Sequence, residues 1–591
     1  MRLIKKISIL LFVLNACVLH ISAQERNSWF LHTIEKGQSL YSIASMYGVN
    51  KADIITLNPG CDEKIYVGQT LKIPQKTSNQ KEDIFHTIKS GETLYRLTVM
   101  YQMSADAICD ANPGLSAQNF RIGTVIRIPL NKNTETTFVK EPVQNNVAAT
   151  PQPRCRETHK VKKRETLYSI GQRYGISSQE LIAANPELKN RGLNKGDELC
   201  IPFAASNNED QRGTSTIPND SDLFNANSAR TYKRLSTIKA AVILPFMLDG
   251  NKRNESARMV EYYEGFLMAV DSLKRTGVSV DLHTYDSGDE TSSIQSILDK
   301  SELKKMDVIF GPLHAEHIDP LAAFAKKNQI RLVIPFTSKD NEVFQNPWVY
   351  QINTPQSYLY SEVYEHFNRQ FPNANVIILD ATNGNGEKAE FIKGFKQELK
   401  RKGTTLHVLK ASASQEELKA ALRLGKTNIF VPTSGSNLTL IKLLPQLKLL
   451  VRNSPEMVIN LFGYPEWQTY TKDHLDSFFE LDTYFYSSFY TNNLLPAAIK
   501  FNNGYRRWYS KDMANTFPKY GMLGFDTGFF FLKGLSEYGT GLERNLSKMK
   551  LTPIQTGFSF ERVNTWGGFV NKKVFFVRFT KDFELIKLDF E

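Results

Sequence analysis

The chain has 591 residues, of which 41% are hydrophobic and 23% are charged, as is ordinary for folded protein. At about 150 residues per domain, this length predicts several domains rather than one core. The formal net charge of +12 favours a polyanionic partner, but no helix-turn-helix, zinc finger or aromatic–basic platform indicates nucleic acid.

The first residues are typical of an export signal. A basic start is followed by the mostly apolar stretch Ile7–Val18 and by Ile21-Ser22-Ala23 before Gln24. This pattern predicts a signal peptide over residues 1–23, cleaved between Ala23 and Gln24. We therefore expect the protein in the periplasm or cell envelope. The apolar stretch is too short to span a bilayer, and no later segment is long enough to do so.

A second interpretation of the same region is lipidation, because Leu14-Asn15-Ala16-Cys17 resembles a lipobox. Cys17 would then become the lipidated first residue of the mature chain. Asn15 fits that motif poorly, and the apolar Val18 and Leu19 would follow the anchor. We therefore favour a cleaved signal peptide.

One pattern occurs three times in the first 202 residues, which marks an internal repeat. Each copy opens on a histidine: His32, His86 and His159. A Leu-Tyr pair and a second tyrosine follow, and then an Asn-Pro pair: Asn58-Pro59, Asn112-Pro113 and Asn185-Pro186. Each copy closes on an Ile-Pro pair: Ile73-Pro74, Ile128-Pro129 and Ile201-Pro202.

The residues of the first copy predict a strand, two helices and a second strand. Ser39 can cap a helix whose apolar residues share one face: Leu40, Ile43, Ala44 and Tyr47. A second helix ends at Asn58-Pro59, because a proline disfavours helical geometry in the residue before it. A core of only about 44 residues is marginal by itself.

These repeats resemble LysM domains, and we assign three modules to residues 31–74, 85–129 and 157–202. The resemblance implies binding of N-acetylglucosamine glycans, chiefly peptidoglycan, in a groove between the first strand–helix loop and the last helix–strand loop. The implied groove residues are Gly37, Gln38, Ser39, Leu40, Asn58, Pro59, Gly60, Gly91, Glu92, Thr93, Leu94, Asn112, Pro113, Gly114, Glu165, Thr166, Leu167, Asn185 and Pro186.

Two points weigh on this groove assignment. Arg164 stands where the first two modules have a loop glycine, which strains the third loop if it needs a positive φ. Alternatively, most of the repeated residues build the small fold, and Asn58 simply caps backbone groups. The resemblance alone does not separate glycan contacts from structural residues.

All four cysteines after the predicted signal peptide lie before residue 201: Cys61, Cys109, Cys155 and Cys200. The first and last strands of a LysM domain pair, so the resemblance implies a Cys155–Cys200 disulfide. A Cys61–Cys109 bridge between the first two modules is a further option, and free thiols are the alternative, because sequence does not fix connectivity.

Two segments are typical of linkers, residues 130–156 and 203–236, because they are polar and lack periodicity. From residue 237 to 591, short apolar runs alternate with amphipathic helices. This alternation predicts parallel sheets covered on both faces, and about 350 residues exceed one such core, so we expect two lobes.

This region resembles the type 1 periplasmic binding proteins, of the branched-chain amino acid-binding kind. The resemblance rests on Ala241–Phe246, Glu264-Gly265-Phe266, Val308–Leu313, Leu332–Ser338, Gly394-Phe395 and Gly524–Thr527. It implies two Rossmann-like lobes joined by a hinge. The fold class is therefore three small βααβ modules followed by a two-lobed α/β domain.

The resemblance places ligand contacts in the interlobe cleft, on loops at the carboxyl ends of strands. The matching residues are His314, Ala315, Thr337, Ser338, Asn385, Thr433, Ser434, Tyr464 and Glu466. The amino acid binders have a serine where His314-Ala315 stand and a tyrosine where Asn385 stands. Amino acid capture is therefore doubtful, and a cleft that serves only as an interaction surface is an equal alternative.

The sequence offers no catalytic constellation. No cysteine follows Cys200, and no HxH or HExxH pair occurs. His314 and His317 could form a metal pair, but exposed histidines at a helix start are commoner than metal sites. We therefore predict a protein that is not an enzyme and has no metal or cofactor.

The expected function is that of a non-catalytic peptidoglycan-binding envelope protein. Its α/β domain would act as an interaction or regulatory module for an envelope partner such as a wall synthase or hydrolase. One alternative is a wall-tethered receptor for a small ligand, an amino acid or a muropeptide. A second alternative is an undetected peptidoglycan hydrolase.

Overall fold

The computed structural model describes residues 29–75, 83–129, parts of 155–202, 220–224 without Asp222, 233–248, 253–382, 384, 386–493 and 495–590. The predicted signal peptide, with Cys17, Ala23 and Gln24, lies outside this part, and so does most of both predicted linkers. The chain divides into two compact units, residues 1–130 with 218–591, and residues 131–217.

The first two LysM modules each form two short helices and an antiparallel strand pair, as predicted. The first contains β1 (Trp29–Thr33), α1 (Leu40–Tyr47), α2 (Lys51–Leu57) and β2 (Thr70–Pro74). The second contains β3 (Ile84–Thr87), α3 (Leu94–Tyr101), α4 (Ala105–Ala111) and β4 (Val125–Ile128). In the third, the described strands β5 (Cys155–Lys160) and β6 (Glu198–Pro202) pair antiparallel.

Helix caps explain where the helices of the first module begin and end. The Ser39 hydroxyl accepts a hydrogen bond from the Ser42 amide at 3.1 Å, and Gly48 ends α1 with a φ of 62°. Asn50 caps α2 in the same way, accepting from the Ala52 amide at 3.0 Å. These caps fix the short helices against β1 and β2.

Lobe one of the α/β domain is built on a seven-stranded sheet in the order β8-β7-β9-β10-β11-β18-β17. All neighbours are parallel except β17 and β18. Its strands are β7 (Ile238–Leu244), β8 (Val280–Asp286), β9 (Val308–Phe310), β10 (Arg331–Ile334), β11 (Val349–Gln351), β17 (Phe560–Arg562) and β18 (Phe569–Asn571). Its helices are α5 (Arg253–Lys274), α6 (Gln295–Leu298), α7 (Ile318–Asn328) and α14 (Tyr520–Tyr538).

Lobe two contains a second seven-stranded sheet, in the order β13-β12-β14-β15-β16-β19-β20. The last two strands run antiparallel to their neighbours. Its strands are β12 (Ala374–Asp380), β13 (Thr405–Lys410), β14 (Thr427–Pro432), β15 (Val458–Gly463), β16 (Thr483–Ser487), β19 (Phe575–Phe579) and β20 (Leu585–Asp589). The remaining helices are α8 (Gln356–Gln370), α9 (Ala389–Arg401), α10 (Gln415–Ala420), α11 (Asn437–Asn453), α12 (Thr471–Glu480) and α13 (Pro496–Tyr509).

Both sheets start from the same strand order. Counted along the chain within each lobe, the first five strands are parallel and lie in the order 2-1-3-4-5, which is a doubly wound arrangement. Each sheet is completed by two strands that lie between Phe560 and Asp589. This architecture confirms the predicted two-lobed α/β domain.

Helices α5 and α14 pack closely because glycines line their contact. A Cβ on Gly265 would lie 1.7 Å from the carbonyl oxygen of Gly521, and one on Gly524 would lie 1.9 Å from that of Tyr262. No side chain fits at either position. The Gly265 and Gly524 motifs noted in the sequence therefore join two helices on one face of the lobe-one sheet.

The other face of the lobe-one sheet is covered partly by the first LysM module. Alternate residues of β7 point to opposite faces, so Ala240 and Val242 pack with α5 and α14, whereas Ala241 and Ile243 share a cluster with the first module. That cluster includes Ile43 of α1. The first LysM module thus shares a hydrophobic core with the α/β domain.

Candidate glycan-binding site

The first histidine of the first LysM module is the centre of a buried hydrogen-bond network. Its Nδ1 lies 2.7 Å from the hydroxyl oxygen of Tyr47, and its Nε2 lies 2.7 Å from Oε1 of Gln38. The same Gln38 oxygen accepts from the amide of Glu35 at 2.9 Å. The Gln38 side chain therefore closes the strand–helix loop.

The network is repeated in the other two modules with a glutamate in place of the glutamine. In the second module, the ring nitrogens of His86 lie 2.8 Å from the hydroxyl oxygen of Tyr101 and 2.8 Å from a carboxylate oxygen of Glu92. In the third they are 2.9 Å and 2.8 Å, joining His159 to Tyr174 and Glu165. The predicted groove residues Gln38, Glu92 and Glu165 thus have a structural role in all three modules.

This exchange of glutamine for glutamate changes the electrostatics. Burial lowers the pKa of His32, although the hydrogen bond with Gln38 acts to raise it. Burial acts to raise the pKa of Glu92, but the Lys89 amide and His86 outweigh burial and lower it. In the third module, the Lys162 amide and the His159 ring lower the pKa of the half-buried Glu165. Only the first network has no carboxylate.

The asparagine of each Asn-Pro pair ties the second helix to the last strand. In the second module, Nδ2 of Asn112 donates to the carbonyls of Ile108 (2.7 Å) and Arg127 (2.6 Å), and its Oδ1 accepts from the Arg127 amide (2.8 Å). The same three bonds recur at Asn58 and Asn185. These side chains are fully used by backbone groups, as the structural alternative anticipated.

The first module turns one of its two groove loops toward the α/β domain. A Cβ on Gly37 would lie 2.6 Å from Cδ1 of Tyr358 on α8. The neighbouring Lys36 ammonium lies 2.9 Å from a carboxylate oxygen of Glu362 and 2.5 Å from one of Glu365. The other loop, with Pro59 and Gly60, is exposed. Half of the predicted groove is therefore buried within the molecule.

The second module also contacts the α/β domain through a groove loop. The Gly114 amide donates to the carbonyl of Thr565 at 2.8 Å, and the Thr565 hydroxyl donates to Oδ1 of Asn112 at 3.0 Å. Leu94 and Leu40, the last residue of each strand–helix loop, belong to the module cores. The predicted residues that remain exposed in this module are Gly91, Thr93 and Pro113.

In the third module, the predicted residues Thr166, Leu167 and Pro186 lie outside the described residues. The strands that carry Cys155 and Cys200 are paired, and the disulfide between them stays a prediction. A Cys61–Cys109 bridge is wrong, because Cys61 is a free thiol. The side chains of Cys61 and Cys109 are buried in separate module cores.

The described cleft residues predicted in lobe two are bonded to neighbouring protein groups. The Ser434 hydroxyl and the Gly435 amide donate to a carboxylate oxygen of Glu387 at 2.8 Å and 2.9 Å. Glu466 pairs with Lys388 at 2.6 Å. Two further contacts are internal: the hydroxyl of the fully buried Tyr464 donates to the Pro432 carbonyl, and Thr433 accepts from the Ala381 amide. The predicted residue Asn385 lies outside the described part of the chain.

Two of the predicted cleft residues of lobe one, His314 and Thr337, contact other protein groups. His314 Nε2 lies 3.1 Å from a carboxylate oxygen of Glu255, and His317 Nε2 lies 2.8 Å from the Ser292 carbonyl. The Thr337 carbonyl accepts from the Gln351 amide group at 3.1 Å, while Ala315 is exposed and Ser338 is half-buried. Within the described residues, no group of three or more His, Cys, Asp or Glu side chains could hold a metal ion.

A comparison with protein-family models identifies the repeats. The LysM domain model matches residues 32–74, 86–129 and 159–202, which confirms the resemblance seen in the sequence. The chain therefore contains three LysM domains, the class of module that the repeats and the strand pairing define.

Curated relatives are similar to the chain through the same region. An autolysin of Enterococcus faecalis is 27% identical over 213 residues, which is 34% of this chain and 27% of the relative. The N-acetylmuramoyl-L-alanine amidase sle1 of Staphylococcus saprophyticus is 26% identical over 180 residues, 30% of this chain and 52% of the relative. The matches lie in the LysM region and span about a quarter to a half of the length of these relatives.

Solved structures are similar over the C-terminal part. A branched-chain amino acid ABC transporter periplasmic ligand-binding protein from Burkholderia xenovorans is 12% identical, with a TM-score of 0.39, covering 60% of this chain and 95% of that one. The substrate-binding protein LivJ from Streptococcus pneumoniae, in complex with isoleucine, is 14% identical, with a TM-score of 0.32, covering 59% and 99%. The strand order given above, rather than these neighbours, defines the fold of the domain.

Among the helices of the described residues, none combines the length and the apolar character that crossing a bilayer requires.

Proposed function

We propose that the protein binds peptidoglycan through its LysM modules without cleaving it, and that its α/β domain is an interaction or regulatory module of the cell envelope. The three LysM matches carry this proposal. Weak modules in tandem gain roughly 10²–10⁴ in avidity on a repetitive polymer. The net charge of +12 adds attraction to the acidic stem peptides of the wall.

The non-catalytic part of the proposal rests on the absence of a constellation. The sequence contains no cysteine beyond Cys200 for a Cys–His peptidase, and the described residues hold no metal-type cluster. The curated amidases are similar in the LysM region alone, so their activity does not come with the similarity. Export by the predicted signal peptide over residues 1–23 would bring the chain to peptidoglycan.

A role as an interaction module, rather than as a receptor, is supported by the state of the cleft. Glu387, Ser434 and Glu466 already bond to protein groups. A small ligand would have to replace those bonds, and buried polar groups left unpaired cost about 1–3 kcal/mol each. The partner would be an envelope protein such as a wall synthase or hydrolase.

Purified sacculi test peptidoglycan binding and the absence of cleavage in one experiment. We expect the full chain to sediment with sacculi, and muropeptide release measured by chromatography to stay at the level of the buffer control. Release above that level would replace the proposal with the hydrolase alternative. Failure to sediment would remove the LysM role.

The receptor alternative has its own readout. Thermal-shift measurements of the full chain with the common amino acids and a set of muropeptides should leave the transition of the α/β domain in place. A concentration-dependent rise in that transition with one compound would show a receptor instead, because a ligand that binds the native state raises its stability.

A further inference from the structure

A short piece of the predicted second linker lies against the second LysM module. Residues 220, 221, 223 and 224 are helical, although the polar composition of residues 203–236 predicts a linker. Phe224 is only 7% exposed and belongs to the hydrophobic core of the module, and Leu223 packs against the same core. We call these residues the docked segment.

The docked segment contacts two residues that adjoin the two sides of the predicted groove, Tyr95 and Phe120. On the strand–helix side, a carboxylate oxygen of Asp220 accepts from the Tyr95 amide at 3.4 Å, one residue after Leu94. On the helix–strand side, the ring of Phe224 lies 5.8 Å from that of Phe120. Phe120 belongs to the segment that joins α4 to β4. An acid at the first turn of α3 is also favoured by the helix dipole.

Further contacts from lobe one narrow the same groove. The Arg562 side chain approaches Gly114 so closely that a Cβ there would lie 2.5 Å from Cδ. The Gly114 amide is already bonded to the Thr565 carbonyl. A glycan chain that entered this groove would therefore meet the docked segment on both sides and a filled position at Gly114.

We propose that the docked segment is a built-in competitor that covers the glycan groove of the second module, and that glycan and segment bind there in turn. This inference rests on the proposed glycan binding. Only molecules whose segment is undocked can bind glycan at this module. The apparent affinity of the module is therefore its intrinsic affinity multiplied by the undocked fraction. Glycan binding at the second module would release the docked segment.

Hydrogen exchange with mass spectrometry on the full chain tests the proposal, with N-acetylchitohexaose as the probe. Titrating the wild type should protect peptides covering 91–95 and 112–121 and, at the same concentrations, speed exchange in the peptide covering 220–224. Protection of the groove with unchanged exchange at 220–224 would overturn the competition.

Variants give a second readout. Asp220→Ala removes one contact without touching the module core, and Leu223→Ala with Phe224→Ala removes the apolar contacts. We expect each to lower the probe concentration for half-protection, by about tenfold for the double variant. Phe583→Ala is the matched control, because Phe583 is 73% exposed. Unchanged half-protection in both segment variants would overturn the proposal.

Slow exchange of α3 in the absence of probe checks that each variant retains a folded second module. If the double variant fails this check, the result for Asp220→Ala alone decides the proposal. The failure of glycan binding itself looks different from the failure of the competition. If no peptide of any LysM module is protected in any variant, the proposed function falls and the competition falls with it.

Discussion

At the residue scale, the repeated polar residues of the LysM modules are mainly parts of the fold. The histidine, the second tyrosine and the Gln or Glu of each copy form one network, and the asparagine before the proline forms another. The Gln or Glu and the asparagine of each copy were among the groove residues that the LysM resemblance implies, whereas the histidine and the tyrosine were not. Their hydrogen bonds to backbone and to one another leave the exposed residues beside them, such as Pro59 and Thr93, as better candidates.

The His32 network predicts a measurable difference in protonation. Replacing Gln38 with Glu places a carboxylate 2.7 Å from the ring nitrogen, as in the other two modules, and should raise the pKa of His32. NMR titration of histidine labelled with ¹³C at Cε1 measures it. Gln118→Glu, at an exposed position, serves as the control. An unchanged His32 titration in Gln38→Glu would contradict the network.

The same network sets a direction for stability against pH. Because burial lowers the pKa of His32 below 6.5, the unfolded chain takes up this proton more readily than the folded one. The contribution of His32 is therefore fully present above pH 6.5 and is lost as the pH falls through its lower folded pKa. In Gln38→Glu the folded pKa of His32 should be higher, so this loss of stability at acidic pH should be smaller, which exchange in β1 and β2 can follow.

The asparagine bonds predict a cost for the second module. Asn112→Ala leaves the Arg127 amide and two carbonyls without their partner in a site that is 0% exposed. We expect local opening of residues 84–128 to become easier by about 1–3 kcal/mol, measured by native-state hydrogen exchange. Asn503→Ala, on an exposed position of α13, should change nothing there. Equal effects of the two variants would contradict the assigned role.

At the element scale, the structure shows which strands a sequence pattern can reveal. Strands β7, β9 and β15 coincide closely with three of the short apolar runs of this region, Ala240–Phe246, Val308–Phe310 and Met457–Phe462. Each run is mostly buried and is followed by a helix. Strands β17 to β20 were not predicted. They follow one another without helices between them, and three of their pairings are antiparallel, so the alternation of strand and helix gives no signal for them.

The glycine contact between α5 and α14 predicts a large effect from a single methyl group. Gly265→Ala would place a Cβ 1.7 Å from the Gly521 carbonyl oxygen and should cost at least about 3 kcal/mol of unfolding free energy, since overpacking typically costs about 1–3 kcal/mol. Denaturant unfolding measures it. Gly504→Ala is the control, because only the flexible end of Met268 lies near. There, higher helix propensity favours alanine by up to about 1 kcal/mol.

At the scale of the whole molecule, the first two LysM modules are integrated with the α/β domain rather than tethered beside it. The Trp566 ring lies 5.7 Å from Tyr47 of the first module and 5.2 Å from Phe85 of the second. The sequence predicted the modules and the domain separately. It could not predict their contact, because pairs such as Lys36 with Glu362 are 326 residues apart and no periodic pattern links them.

Trp566 should therefore hold three parts of the protein together. Its side chain is 2% exposed, so Trp566→Ala should cost about 3–5 kcal/mol and loosen the first two modules together. Limited proteolysis within residues 29–129 of the full chain is the readout. Trp508→Ala, at a position that is 47% exposed, is the control. Cleavage at the wild-type rate in Trp566→Ala would show that the modules are held in another way.

The proposed glycan binding and simple charge attraction both predict that the chain sediments with sacculi. A competition experiment on chain bound to purified sacculi separates them most directly. If the LysM modules recognise the glycan, N-acetylchitohexaose should release the chain, while about 0.3 M salt, where the Debye length is only about 5–6 Å, should leave most of it bound. Release by salt, with no effect of the oligosaccharide, would contradict glycan recognition and leave only the charge of +12 to explain the binding.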